Sequence, residues 1–381
     1  MADKSHIYKM PSIKAINARP KKYTGASFFS GCGGSSTGHK MAGINILYAN
    51  EFIPAAQDTY ALNAPKTYLD RRDIREVEVA QVLKRMGLKR GELDLLDGSP
   101  PCKSFSTAGA GSKNWGEKKL YSDGVHQRTD DLFLEFIRML KGTMPKVFVA
   151  ENVPGLVHGK AKGMFLEIMN DFIACGYTVR AQVLDASLLG VPQARHRLIF
   201  VGVRNDLVKM GLKPVFPVPL KTPRPSVRDF LPHITAIKGK KGDILTYIPS
   251  DVPSATITAS DSQNSETASF SCGGFVETKD GKRRKYTINE LKKICAFPDD
   301  FQFTGTYEQK FERMGRAVPP LMMAHVTREI VKQILDPFYA KGGKNKLPPA
   351  EPEKKVKAKP EAKTKGVKDP EKIKKAKTKK A

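Results

Sequence analysis

The chain is poor in acid and in paired cysteine. Against 65 Lys and Arg stand only 39 Asp and Glu, a formal net charge of +26. Five cysteines (Cys32, Cys102, Cys175, Cys272 and Cys295) are an odd number and include no C-x-x-C pair. That argues against a disulfide framework or a structural zinc site and for a reducing compartment. No apolar run reaches the roughly 18 residues that cross a bilayer, and the first residues lack the apolar core of a signal peptide. A cytoplasmic protein with no membrane partner and no metal is expected. No internal repeat is visible.

The excess positive charge is concentrated. Residues 341–381 carry sixteen Lys against five acids and have no aromatic residue, and residues 1–22 carry six basic residues against one acid. The tail is too polar and too charged to bury a core of its own. Its natural partner is a polyanion, and residues 23–340 remain basic by +10, so nucleic acid is the expected ligand.

From residue 23 short apolar strands alternate with amphipathic helices. Gly25–Phe29, Ile44–Ala49, Leu93–Leu96, Lys146–Ala150, Thr178–Leu184 and Leu198–Val203 read as strands. Leu132, Phe133, Phe136, Ile137 and Leu140 make one helical face behind a Thr129-Asp130 cap, and Phe165, Ile168, Met169, Phe172 and Ile173 make another, closed by Gly176. Such alternation predicts an α/β fold with a mostly parallel, doubly wound sheet. After Asn205 prolines and then Gly, Ser, Thr and basic residues dominate. A smaller irregular or β-rich domain is expected, with strands at Ala255–Thr258 and Lys285–Ile288. Helical spacing returns at Met322, Val326, Ile330 and Ile334, and Asp336-Pro337 should end that helix. The expected boundaries are 1–22, 23–204, 205–310, 311–340 and 341–381.

Three segments place chemistry at strand ends, where open α/β sheets keep their sites. Asp97-Gly-Ser-Pro-Pro-Cys102 ends a strand on a proline turn carrying a thiol. Lys146-Val-Phe-Val-Ala-Glu151-Asn152-Val-Pro154 ends another on a carboxylate. Gln193-Ala-Arg195-His-Arg197 leads two guanidinium groups into a third. At the amino end, Phe28-Phe29-Ser30-Gly31-Cys32-Gly33-Gly34 follows the first strand and precedes a helix, an arrangement that favours a ligand with negative groups. A tight structural turn accounts for it almost as well. Glu51 closes the second strand and Asp73 stands at the rim of a third. With the glycines they suggest an adenosine-containing cofactor.

Taken in order, Phe-Ser-Gly-Cys-Gly-Gly, Ser-Pro-Pro-Cys-Lys-Ser-Phe-Ser, Glu-Asn-Val-Pro-Gly, Gln-Ala-Arg-His-Arg and Gly315-Arg-Ala-Val-Pro-Pro320 resemble the DNA cytosine-5 methyltransferase family over most of residues 26–335. The resemblance implies a Rossmann-like methyltransferase sheet with a target-recognition domain, of prokaryotic or viral type. It implies S-adenosylmethionine as cofactor, near Phe29, Ser30, Gly31, Gly33, Glu51, Phe52, Asp73, Ile74, Pro101, Leu132, Arg316, Ala317 and Val318. It also implies double-stranded DNA as substrate, a flipped-out target cytosine and a covalent adduct of Cys102 at carbon 6. Glu151 would contact ring nitrogen 3, Arg197 the oxygen at carbon 2, and Asn152 would steady the turn. Arg195 would neutralise the thiolate or support Glu151. Lys103 and Ser104 would touch DNA, as would the cluster Lys282-Arg283-Arg284-Lys285, and residues 103–128 would form a lid. A cognate restriction endonuclease, a monomer and a place on the nucleoid (or in the nucleus of a eukaryotic host) complete the expectation.

Two positions leave the pattern. Lys103 replaces the usual glutamine and Arg316 the usual asparagine. Only residues 232–254 remain for the variable recognition segment, which predicts a target on the order of two to four base pairs. Two alternatives stay open: a tRNA cytosine-5 methyltransferase of the same fold, and a catalytically silent DNA-binding protein.

Overall fold

The computed structural model describes residues 7–101, 118–120, 126–128, 131–241, 244–263 and 273–343. Cys102, Lys103, Ser104, the Thr129-Asp130 cap, Cys272 and the tail from residue 344 lie outside them. The described residues fall in one compact unit.

The strands are β1 (Tyr23–Phe28), β2 (Ile44–Asn50), β3 (Tyr68–Asp70), β4 (Leu95–Gly98), β5 (Lys118–Leu120), β6 (His126–Arg128), β7 (Val147–Asn152), β8 (Tyr177–Asp185), β9 (Gln193–Ala194), β10 (His196–Arg204), β11 (Ile234–Lys241), β12 (Ile244–Pro249), β13 (Ser254–Ala255), β14 (Phe275–Thr278) and β15 (Arg283–Lys285). The central sheet has seven strands in the order β3-β2-β1-β4-β7-β10-β8. β1 lies parallel to both β2 and β4, and β4 to β7. β10 alone reverses, antiparallel to β7 and β8. Both faces of this sheet are covered at its centre, so β4, β7 and most of β10 are buried at successive positions rather than at alternate ones. In β7, Val147 and Val149 enter one core cluster while Phe148 and Ala150 enter the other.

Helices α1 (Ile13–Ala18), α2 (Gly34–Met41), α3 (Pro54–Asn63), α4 (Val79–Met86), α5 (Leu132–Thr143), α6 (Lys162–Ala174) and α7 (Asn205–Val208) accompany the central sheet in sequence. α5 begins after Asp131, whose side chain makes no capping bond. The basic amino-terminal stretch is tied down where it is described: Ile16 is buried and the Ile13 N–H donates to Asp300 at 2.7 Å.

The second sheet is antiparallel, in the order β12-β11-β14-β15. It packs with α8 (Val227–Phe230) and α9 (Ile288–Ile294) around Ile234, Ile237, Val276 and Leu291. Two expectations need correcting here. Ala255–Thr258 is not a strand beyond its first residue, because Ser254–Ala255 makes only a short parallel bridge to β9. Lys285 closes β15, and Thr287 beyond it caps α9 through the Glu290 N–H. One of the real strands, β11, is concealed by Lys238, Gly239 and Lys240, which weaken the apolar alternation.

After α10 (Tyr307–Arg316), α11 (Pro320–Ile330) returns to the central sheet, where Met322, Val326 and Ile330 join its core. Asp336-Pro337 does not end the helical run. A π turn over Val331–Leu335 resets the register, and α12 (Asp336–Ala340) starts with Pro337 in its first turn, where a missing N–H costs nothing.

Candidate active site

The sheet changes direction at β1, whose neighbours β2 and β4 lie on opposite sides, and such a switch opens a crevice at the strands' carboxyl ends. A cavity of about 940 Å³ occupies this edge. Phe29–Gly31 reach it from β1, Glu51 and Phe52 from β2, Ser99–Pro101 from β4, and Glu151–Pro154 from β7. Because β10 runs antiparallel to β7, its first residues meet the last residues of β7: Leu198 pairs with Asn152 and Ile199 with Glu151. His196 and Arg197 thereby join the same edge.

At one wall the chain turns sharply after β1. Phe29 and Gly31 both sit at φ 55°, a strained choice for a phenylalanine and an easy one for glycine. The Glu51 carboxylate accepts from the Gly31 N–H at 2.7 Å and from the Ile53 N–H at 2.8 Å. It is thus fixed in place and buried. Gly34, at the start of α2, is pressed so tightly against Ala317 and Val318 that a Cβ there would overlap the Val318 carbonyl. The loop after α10 therefore forms part of the wall.

At the other wall Arg197 Nε donates to Glu151 Oε1 at 2.8 Å. Burial lowers the guanidinium pKa, and the Glu151 charge and hydrogen bond oppose that shift. Asn152 ties this turn to the proline turn: its amide donates to Pro100 O at 3.4 Å and its Oδ1 accepts from the Val153 N–H at 2.9 Å.

Of the residues expected around a cofactor, Phe29, Ser30, Gly31, Glu51, Phe52, Ile74, Pro101, Arg316, Ala317 and Val318 line the cavity, whereas Gly33, Asp73 and Leu132 do not. Gly33 stands behind the turn against Tyr60, and Leu132 is in the core. Asp73 caps the short turn Ile74–Glu76 and pairs with Arg75 at 2.7 Å. Arg195 also departs from expectation. It lines the cavity, but its two terminal nitrogens donate to Ile257 O at 2.9 Å and Gly315 O at 2.8 Å. Burial first, and then Arg197, push it down to about 9. It staples three segments of the wall together rather than supporting Glu151.

The cluster 282–285 is spent largely within its own domain. Lys282 pairs with Asp280 at 3.1 Å, Arg283 with Glu277 at 2.9 Å, and Arg284 with Glu290 at 2.8 Å, while Lys285 donates to Ser262 O at 2.6 Å. Arg316, in the asparagine position, pairs with Glu312. Glu312 was not singled out from sequence, although its spacing of four from Arg316 on a helix was the available signal. Burial pushes the thiols of Cys32 up to about 12 and Cys295 up to about 11, and raises that of Cys175, which disfavours the reactive thiolate in each. Among the described residues no group of three or more His, Cys, Asp or Glu is placed to hold a metal ion, and no helix is long and apolar enough to cross a membrane.

Comparison with known proteins agrees with this geometry. Type II methyltransferase M.FnuDI of Fusobacterium nucleatum is 30% identical over 346 residues, covering 81% of this chain and 94% of that one. M1.HphI of Haemophilus parahaemolyticus is 28% identical over 333 residues, covering 80% and 85%. The S. pombe Dnmt2 methyltransferase structure shares the fold, with a TM-score of 0.58 at 16% identity over 82% of this chain and 99% of that one. The family model for C-5 cytosine-specific DNA methylase matches residues 23–248 and 239–332. The chain therefore belongs to the C-5 cytosine-specific DNA methylases, which use S-adenosylmethionine to methylate carbon 5 of cytosine in double-stranded DNA.

Proposed function

We propose that the two walls of the cavity divide the work, with the cofactor at Glu51 and the extruded cytosine at Glu151 and Arg197. The observation carrying this is the buried Glu151–Arg197 pair on the edge that Glu51 and Gly31 also line. The residues fit the cofactor: a Cβ added at Gly31 meets nothing within 4 Å, so open space lies against the turn, and the Glu51 carboxylate is already oriented for ribose hydroxyls. S-adenosylmethionine supplies an electrophilic sulfonium methyl group. Phe52 and Ile74 bound the nucleoside end, and Arg316, Ala317 and Val318 the amino-acid end.

Carbon 5 of cytosine is a weak nucleophile. The Cys102 thiolate adds to carbon 6, forming a C–S bond and turning the ring into an enamine whose carbon 5 can be alkylated. Arg197 exchanges Glu151 for the oxygen at carbon 2, and Glu151, as its acid, donates a proton to nitrogen 3 so that negative charge does not accumulate. Loss of the carbon-5 proton to solvent, return of the nitrogen-3 proton to Glu151 and departure of the thiolate then restore the neutral aromatic ring. The small domain reads DNA, with residues 232–254 as the recognition segment and Lys103, Ser104 and the exposed Lys282 and Arg283 of the ridge contributing phosphate contacts. Residues 341–381 add sequence-independent attraction. Kinship with Type II methyltransferases supports a cognate restriction endonuclease as a partner; the enzyme itself acts as a monomer on cytoplasmic DNA.

The test is tritiated cofactor offered with duplex DNA or tRNA, and a duplex carrying 5-fluorocytosine, which should trap the wild-type protein covalently. Label entering tRNA but not DNA, or no trapped complex, would overturn the assignment of roles.

A further inference from the structure

Among the described residues, four arginines line the cavity: Arg195, Arg197, Arg313 and Arg316. Arg195 is bonded to the Ile257 and Gly315 carbonyls, Arg197 to Glu151, and Arg313 donates to the Thr304 carbonyl. Arg316 differs from them, because its partner is an acid of the same cavity that the reaction above does not use. Its Nε donates to Glu312 Oε1 at 2.8 Å, and its Nη2 donates to the same oxygen. The two residues stand four apart on α10, one helical turn from each other. The Arg316 side chain is 34% exposed and that of Glu312 only 10%.

Their neighbours place the pair beside the glycine turn. Ala317 and Val318 press on Gly34, and a Cβ built there would lie 3.3 Å from Ala317 Cβ. This corner of the cavity therefore holds a full positive and a full negative charge side by side. A simple anion would meet repulsion from Glu312, and a simple cation would meet it from Arg316. A zwitterion suits both: its carboxylate accepts from the planar guanidinium fork, and its ammonium donates to the acid.

We infer that Glu312 and Arg316 together seat the amino-acid end of the cofactor, Arg316 taking the α-carboxylate and Glu312 the α-ammonium. Their role rests on the reading that places S-adenosylmethionine in this cavity. It also accounts for an arginine in the usual asparagine's place. A lone guanidinium would add positive charge to a pocket that has to accept a sulfonium cation. Glu312, one turn back, cancels that charge. Before binding, the two side chains pair with each other. The zwitterion exchanges one ion pair for two and leaves the net charge of the corner unchanged.

Calorimetry on the full chain tests this with three probes: S-adenosylhomocysteine, its decarboxylated counterpart, and 5′-methylthioadenosine, which lacks the amino-acid end. Wild type should prefer S-adenosylhomocysteine to the decarboxylated compound by about 10- to 100-fold, the usual worth of a hydrogen bond to a charged group. Arg316→Met should erase most of that preference while moving the affinity for 5′-methylthioadenosine by no more than about twofold. Glu312→Gln should weaken S-adenosylmethionine roughly fivefold more than S-adenosylhomocysteine, because only the former carries the sulfonium charge. An Arg316→Met that keeps the preference, or that loses all three probes by one common factor, would overturn the inference. Equal weakening of the two cofactor forms in Glu312→Gln would remove Glu312 from the role. If Arg316→Met fails to fold, Arg316→Gln takes its place with the same expectation. Wild-type protein that binds none of the three would overturn the cofactor reading and the paired seat with it, whereas binding that ignores the carboxylate would overturn the seat alone.

Discussion

The rim of the central sheet and the ridge at 282–285 were both marked by charged residues in sequence, yet the fold treats them oppositely. At the rim, Glu51, Glu151 and Arg197 converge on one cavity although they come from three strands. On the ridge each cation meets a nearby acid or carbonyl of its own domain. A charged side chain becomes a site when the fold leaves room opposite it, and a structural tie when the fold supplies its partner.

The sharpest way to break this comparison is at the rim. Cys102→Ala should abolish methyl transfer while leaving calorimetric affinity for S-adenosylmethionine nearly unchanged; appreciable turnover would remove the covalent step. Glu151→Gln keeps the shape and loses the acid, and should lower kcat by about 10²–10⁴-fold, the usual worth of a positioned acid–base group, as read by single-turnover label transfer.

Smaller effects separate the two regions. Glu51→Ala should weaken cofactor binding by about 1–3 kcal/mol, the cost of losing a charged acceptor, whereas Arg284→Ala should cost a similar amount in folding stability instead, read by urea unfolding. A DNA-binding defect in Arg284→Ala without loss of stability would return that arginine to the interface. Acid should find the same weakness. Burial raises the Glu290 carboxyl, but hydrogen bonds from Arg284, His233 and Thr287 outweigh it and hold the group at about 2. A depressed acid contributes stability above its unfolded value of 4.5 and loses it as pH falls towards about 2. Wild type should therefore lose stability across that window, and Glu290→Gln should flatten the loss.

The smallest effect expected is electrostatic. Deleting residues 341–381 should reduce the slope of log K against log salt by roughly one for each phosphate the tail had neutralised, with little change in turnover at saturating DNA and low salt. An unchanged slope would make the tail a solubility device. Lys282→Ala, already paired with Asp280, should move the slope less than the tail does.

Much of the site was legible because its signals are local. A strand ending in Pro100-Pro101, or in Glu151-Asn152 before Val153-Pro154, has nowhere to go but the sheet's edge. The glycine turn and Glu51 were likewise readable from spacing, and the structure joins them by one hydrogen bond. What was illegible depended on partners far along the chain. Asp73 looked like a rim acid but is engaged by Arg75, which Asp131, far along the chain, holds in place. Arg195 looked like a second catalytic cation, until carbonyls of Ile257 and Gly315 took its donors. β11 was hidden because a sheet with one exposed face tolerates lysines and glycines that blur a period of two.

The sequence by itself determined the alternation of strand and helix, the order of the rim motifs and the chemistry each carries, because these follow from backbone propensity and side-chain type within a few residues. Only the tertiary structure decided which charges work together. Reversing β10 brought Arg197 to Glu151 while Arg195, two residues away, turned into the wall. Packing α2 on α11 enclosed His39 with Asp97 and Thr327. A side chain's partner is set by the whole path of the chain through space, and no local pattern encodes a contact between residues 39 and 327.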